Sequence, residues 1–196
     1  MIMVSVPLQL SYNYSMILIK KRLCEVLKYD PDTGDFTWLY RSGKSRYTRS
    51  WNKRYVDKRA GCIKYNYDAP NNYLLIGVDN RLYRAHRLAF LYMTGKFPLH
   101  GVDHIDGNGL NNRWKNLRLA NQSQNLANCG IRSDSTTGLR GVSFHKLSGR
   151  YRAHITVLGK HIHIGLFDNA EEARAAHVCA AKKYFGEFTR AVTGIA

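Results

Sequence analysis

Asp103 and His104 stand side by side in the stretch 101–128, GVDHIDGNGLNNRWKNLRLANQSQNLAN, with Asn116 twelve residues beyond His104 and Asn125 nine beyond that. An aspartate offers a hard oxygen ligand, and a neutral imidazole beside it accepts a proton near pH 7. The asparagines have a plainer reading by composition alone. Asn tolerates positive φ and bonds its own backbone, which is turn and cap chemistry. Two rival metal chemistries fail on spacing. An EF-hand loop opening at Asp103 needs ligands where Ile105 and Gly107 stand, and one opening at Asp106 has Asn111 and Leu117 where it needs Gly and Glu. Structural zinc needs paired Cys or His, and Cys24, Cys62, Cys129 and Cys179 form no C-x-x-C.

The order of the residues says more than their composition. VDHIDGN, NNRWKNLR and SQNLAN together resemble the HNH endonuclease family, in the His-Asn-Asn branch of phage and mobile-intron homing endonucleases. The resemblance fixes positions 103, 104, 116 and 125 and includes the Asn-Leu-Arg step 116–118. It implies an α+β fold whose ββα-metal core, about 84–128, clasps one divalent cation, Mg2+ with Mn2+ tolerated. It also implies His104 as general base and Asp103 and Asn125 as metal ligands. Asn116 would then bond the far imidazole nitrogen and aim the other at the attacking water. Asp103 is expected at the end of the first strand, Asn116 in or before the second, and Asn125 on the helix.

A metal-dependent nuclease of double-stranded DNA is the activity so implied. One set of catalytic groups would nick as a monomer and need a dimer or a second event for a double-strand break. The rival is a catalytically silent, sequence-specific DNA-binding regulator, and the presence of all four signature residues favours the enzyme. RNA binding is weaker still, because an A-form major groove is too narrow for a sheet and no RNP-type aromatic motif is present.

Charge agrees with a nucleic-acid partner. Thirty Lys and Arg against fourteen Asp and Glu leave a formal +16 over 196 residues. Residues 1–98 carry 17 basic and 7 acidic side chains and residues 99–196 carry 13 and 7, so both halves can face phosphate. No apolar run approaches the ~20 residues that span a bilayer. No secretory signal opens the chain, and Met16 is a candidate native start. Four scattered cysteines point to reduced thiols and an intracellular setting, the cytoplasm of a bacterial host if the chain is phage-encoded as the resemblance implies. No protein partner is indicated.

The elements that must position the pair are read in order. Residues 17–29 place Ile19, Leu23, Val26 and Leu27 on one helical face, with a stop at Asp30-Pro31 and a strand over 36–40. Residues 41–64 hold nine basic side chains against the single acid Asp57, interleaved with Tyr47, Trp51 and Tyr55. A solvated loop is the plain reading. Arg46, Arg49, Lys53 and Arg54 are candidate contacts to a DNA backbone, since aromatics can stack beside phosphate-binding cations. Strands over 73–78 and 81–84 meet at a primed turn on Asp79-Asn80, and a helix over 86–94 ends at Gly95. YRAHRLAFLYMTGKFP resembles the segment before the HNH core, with His86 structural.

Domain boundaries follow: 1–131 for the N-terminal strands and nuclease, 132–137 as linker, 138–196 as a second DNA-binding module. Three strands are expected there, with Val142 and Phe144 inward and Gly141 a bulge. Tyr151, Ala153, Ile155 and Val157 alternate with Arg150, Arg152, His154 and Thr156, and Ile162 and Ile164 with His161 and His163. One face is apolar and the other basic. A helix capped by Asp168, with Glu171 three residues on, would run to Gly186 and lay Ala173, Ala176, Ala180 and Tyr184 on the apolar face. LRGVSFH, GRYRAHI and IGLFDNAEEARAAHVCAAKKYFG resemble the APETALA/ethylene-response-factor DNA-binding domain of plants. By that resemblance Arg140, Arg150, His161 and His163 contact DNA, with Arg152 and His154 on the same basic face. Ser143, His145, Thr156 and His163 depart from the plant pattern, so groove docking carries over and the plant target does not. A transition metal on His161 and His163 would lack a third ligand at useful spacing.

Overall fold

A computed structural model describes residues 18–64, 72–131 and 135–189. The candidate start at Met16 and residues 132–134 of the expected linker lie outside the described residues. In chain order the elements are α1 (Lys20–Val26), β1 (Leu27–Tyr29), β2 (Phe36–Trp38), α2 (Arg46–Tyr55), β3 (Cys62–Lys64), β4 (Tyr73–Val78), β5 (Arg81–Arg84) and α3 (Ala85–Thr94). Then come β6 (Gly101–His104), a 3-10 turn (Trp114–Asn116), β7 (Leu117–Ala120), α4 (Gln122–Asn128), β8 (Val142–His145), β9 (Arg150–Val157), β10 (Lys160–Phe167), α5 (Ala170–Phe185) and a closing 3-10 turn (Gly186–Phe188). This is the expected α+β class. Among the described residues no helix is long and apolar enough to cross a membrane.

The expected helix over 17–29 ends at Val26, and Leu27–Tyr29 is instead a strand paired antiparallel with β2. Leu27 and Tyr29 alternate inward around exposed Lys28, a period of two that hydrogen-bonded pairing rewards over a further helical turn. Between the strands, Asp30 accepts from the backbone N–H groups of Asp32 and Thr33, and Gly34 turns the chain at φ +79°. The basic loop expected over 41–64 is also corrected. Ser45 caps α2 by accepting from Thr48 N at 3.0 Å, and β3 follows on the edge of the β3-β4-β5 sheet.

The β4–β5 hairpin turns on Asp79 (φ 47°) and Asn80 (φ 61°), as expected of the primed type. It feeds α3, whose Leu88, Ala89, Phe90 and Leu91 join Leu23, Phe36 and Ile76 in the main core. That core extends to Val102 and Leu117, which fixes the β6–β7 ribbon on the same scaffold.

In the C-terminal module α5 packs on a β10-β9-β8 sheet, as expected. Its details differ from the sequence reading. The helix cap is Asn169, accepting from Glu172 N at 2.8 Å, because Asp168 is drawn away to Arg150 at 2.8 Å. The buried stripe of α5 is Ala173, His177 and Ala181 rather than one through Ala180 and Tyr184. Gly141 makes this possible: a Cβ there would lie 2.1 Å from the His177 ring, so the position gives room to the helix and is not a bulge. The irregularity falls instead between His163 and Gly165. Val142 is buried, but Phe144 is largely exposed and rests edge-on against Tyr151 at 5.3 Å.

Gly34 ties the first hairpin to the rest. A Cβ there would stand 2.5 Å from Arg113 N and from Asn112 C, and backbone cannot yield as a flexible side chain can. Gly34→Ala combines that clash with a positive φ and is expected to lower stability by roughly 2 kcal/mol or more. Urea unfolding checks this, and an unchanged midpoint would contradict the packing described.

Candidate active site

Register places Asp103 opposite Arg118 and His104 opposite Leu117 on the β6–β7 ribbon. Both members of the pair are buried, Asp103 at 7% and His104 at 5% exposure, so each needs partners inside the protein. Asp103 Oδ2 accepts from Arg118 Nε at 2.9 Å and Nη2 at 2.8 Å. Asn128, on α4, spans both carboxylate oxygens with Nδ2 at 3.0 and 3.1 Å and reaches the His104 carbonyl at 2.7 Å.

α4 is set by a reciprocal capping box. Asn121 accepts from Gln124 N at 2.9 Å while Gln124 accepts from Asn121 N at 2.8 Å. This aims Asn125 at the start of β6, where a Cβ on Gly101 would meet Asn125 Nδ2 at 2.7 Å. Only glycine leaves that amide its place. Asp103, His104, Asn125, Asn128 and Gly101 line one cavity of about 230 Å3.

The ring of His104 is held by a residue the spacing did not single out. His104 Nε2 lies 3.2 Å from Asn112 Oδ1, an oxygen that can only accept, so Nε2 carries the proton and Nδ1 is the nitrogen free to take one. Asn116, expected in that role, is buried just before β7 and turned elsewhere. Its Nδ2 donates to Asp106 Oδ1 at 3.0 Å and to the Asn111 carbonyl at 2.8 Å, and its Oδ1 accepts from Asp106 N at 3.1 Å. Asn116 therefore fastens the 105–112 loop, and the loop presents Asn112. From the far side, Tyr29 Oη donates to the Asn112 carbonyl at 2.7 Å, Trp114 N to the Pro31 carbonyl at 2.9 Å, and Arg113 Nε to the Asp32 carbonyl at 2.9 Å.

His86, read from sequence as structural, lies in the same cavity with its ring 4.9 Å from that of His104 and edge-on to it. Tyr73 completes the wall, 5.5 Å from His86 and 6.1 Å from His104. No sequence signal beyond its place in the AHR step marks His86.

The oxygen set fits a hard divalent cation. Asp103 Oδ1 takes one hydrogen bond and retains lone-pair capacity, and the Asn125 amide is cradled by Gly101. Among the described residues no three His, Cys, Asp or Glu side chains gather for a metal, so His161 and His163 acquire no third ligand of those types.

The remaining candidates divide between two surfaces. Arg46, Arg49, Lys53 and Arg54 are exposed on α2. Arg152, His154, His161 and His163 share one face of the β9–β10 ribbon, where His154 pairs with His163. Arg150 shares that parity but bonds Asp168. Arg140 leaves the sheet face and donates to the Cys129 and Leu126 carbonyls at the end of α4. It closes the C-terminal end of α4. All four cysteines are free.

Burial holds three imidazoles neutral. Desolvation, then the charges of His104, Arg84 and Arg87, push His86 from 6.5 down to about 3. Desolvation, then Arg140 and His154, push His177 to about 4. Desolvation lowers His104 as well, against the opposing pull of the Asn112 bond, Asp106 and Asp103.

Comparison with known proteins gives one family match and three relatives. Residues 83–127 match the HNH endonuclease family model. Protein 3.8 of Escherichia phage T7 is 42% identical over 78 residues, 39% of this chain and 64% of that protein's length, so under two thirds of that relative is spanned. An uncharacterized HNH endonuclease of Acanthamoeba polyphaga mimivirus is 32% identical over 135 residues, 68% of this chain and 70% of the relative. An AP2-like ethylene-responsive transcription factor of Arabidopsis thaliana is 34% identical over 87 residues, 44% of this chain and 18% of that protein.

The buried imidazoles predict a pH dependence of stability. Each takes up a proton near 6.5 in the unfolded chain and only at lower pH in the fold. Stability is thus full above pH 6.5 and falls as pH drops toward the folded values, because the unfolded chain binds the protons that the buried imidazoles refuse. Urea midpoints between pH 7 and pH 4 measure this, and His86→Gln is expected to shallow the decline. A flat profile would mean the imidazoles are not desolvated.

Proposed function

We propose that this chain, which belongs to the HNH endonuclease family, hydrolyses phosphodiester bonds of double-stranded DNA with His104 as general base and Asp103 and Asn125 as ligands of one divalent cation. The observation that carries the reading is His104 itself: buried, lowered in pKa by desolvation, bonded through Nε2 to Asn112, and sharing a cavity with Asp103 and Asn125. A base that is neutral at working pH and fixed in tautomer meets the requirement for drawing a proton from water.

The chain's groups then divide the work. His104 Nδ1 takes the proton as the water oxygen forms its bond to phosphorus and the bond from phosphorus to the 3′-oxygen breaks. Asn112 keeps the ring in that tautomer, and Asn116 acts on it at one remove through the loop. Arg118 and Asn128 hold the Asp103 carboxylate in place. Asp103 and Asn125 would hold the cation, Mg2+ in this reading, which would supply neutralisation of the charge that develops on the phosphoryl and departing oxygens. The cavity walls of Tyr73 and His86 limit water around the base.

Targeting belongs to the C-terminal module in this reading. Arg152, His154, His161 and His163 form its DNA face, Arg150 contributes where it leaves Asp168, and Arg140 serves the junction. Arg46, Arg49, Lys53 and Arg54 add phosphate contacts from α2. A host cytoplasm accords with the phage and viral relatives, and the homing type and a bacterial host rest on the motif resemblance.

His104→Ala is expected to abolish plasmid nicking while leaving DNA affinity nearly unchanged, since the base is on the reaction path and affinity comes mainly from phosphate contacts. Supercoiled-plasmid relaxation with Mg2+ tests it, and full activity at neutral pH would remove His104 from the mechanism. Asn125→Ala is expected to raise the Mg2+ concentration needed for half-maximal cutting about tenfold or more, because one ligand is lost. Cutting that proceeds equally fast in EDTA would end the metal assignment.

A further inference from the structure

α2 is an exposed helix with four cations, no acid and no buried residue. Its charge alone explains phosphate contact. It does not explain Tyr47, Trp51 and Tyr55, spaced four apart so that they form one stripe along the helix. An aromatic stripe on a small helix is ordinarily core, yet Tyr47 is 74% exposed and Tyr55 38% exposed. Trp51 is held from three sides: Trp38 meets it edge-on at 5.3 Å, Tyr55 tilts against it at 5.2 Å, and the Arg41 guanidinium lies 3.6 Å over its ring. Arg41 is itself fixed, its N–H donating to Asn52 Oδ1 at 3.0 Å and its carbonyl accepting from Asn52 Nδ2 at 2.9 Å.

The result is a groove of about 310 Å3 between β2 and α2, walled by Trp38, Tyr47, Ser50, Trp51, Arg54 and Tyr55. We infer that this groove receives an unstacked base of a DNA strand, stacked on Tyr47 and Tyr55, while the α2 cations hold the phosphates on either side. The inference rests on the reading of Arg46, Arg49, Lys53 and Arg54 as phosphate contacts. Charge complementarity selects a polyanion over a protein partner, since α2 offers nothing to an acidic-poor apolar surface except two tyrosines. Aromatic walls select a π-face within that polyanion, and a base paired inside a duplex cannot present one. The occupant is therefore a base already unpaired, or one drawn out of the helix while the duplex lies across α2.

Full-length protein without divalent ion is titrated with three probes of equal length: a perfectly paired DNA duplex, the same duplex with one unpaired thymine, and a single DNA strand. Anisotropy reads affinity and tryptophan emission reads contact with the Trp51 cluster. The bulged duplex is expected to bind about fivefold or more tighter than the paired one, with quenching, because an unpaired base spares the cost of extrusion and stacking is retained. The double variant Tyr47→Ala, Tyr55→Ala is expected to bind both duplexes alike, and Tyr47→Phe, Tyr55→Phe to keep the preference. No preference in the wild type, or a preference that survives loss of both rings in a variant with unchanged melting, overturns the inference. A single RNA strand that outcompetes the DNA strand tenfold also overturns it. The charge variant Arg46→Ala, Arg49→Ala, Lys53→Ala is expected to weaken all probes alike. Unchanged affinity there overturns the phosphate reading alone, because the aromatic comparison is made at fixed charge.

Discussion

A carboxylate and an imidazole are buried next to one another on β6, and that desolvation is the constraint around which the molecule is arranged. Both side chains line one cavity, yet each draws its side-chain partner from a different element. Asp103 is satisfied by Arg118 across the ribbon and by Asn128 from α4, and His104 by Asn112 from the loop that joins the two strands. Each partner needs its own support. Asn128 depends on the capping box of α4, and Asn112 depends on Asn116, Asp106, Tyr29 and the close approach of Gly34. A pair of side chains thus recruits the first hairpin, the loop and the helix. Leaving either group without its partner would strand a buried polar atom at a cost of about 1–3 kcal/mol, more for the charged one.

The same carboxylate is connected to the C-terminal module. Arg118 donates through Nη1 to the Glu187 carbonyl at 2.8 Å and lies 4.0 Å over the Phe188 ring, so the group that steadies Asp103 is itself held from the last 3-10 turn. Arg140 closes the end of α4, and Ser123 at its start accepts from Leu158 N at 3.1 Å. The C-terminal module therefore abuts α4 at both ends. Contact of this kind makes the geometry at Asp103 depend on where the module sits.

What the sequence made legible was whatever is local. The resemblance of 101–128 to the HNH core implied a strand end, a strand entrance and a helix, and the structure puts Asp103, Asn116 and Asn125 at those places. The Asp79-Asn80 turn and Gly95 were equally legible, since positive φ restricts the residues that can occupy it. Asn112 was not. Its role is created by residues about 80 positions away, Tyr29 and Gly34, and no local pattern carries that. Arg140 and Arg150 were read as surface contacts by motif, but an adjacent pair of carbonyls claims one and Asp168 shares the other. The α5 stripe was read one position off because a buried His177 is legible only with Gly141 opposite it. α2 was hidden by its charge, which reads as a loop until Ser45 is seen to cap it.

His104 acts as a neutral base only if Asn112 sets its tautomer. Imidazole nitrogen NMR of the full chain, followed as a function of pH, tests it most directly. The expected result is a His104 ring that carries its proton on Nε2, titrates below pH 6.5, and loses that single tautomer in Asn112→Ala while the Asn116→Asp protein keeps it. A ring protonated on Nδ1, or one that titrates at or above pH 6.5, would contradict the account.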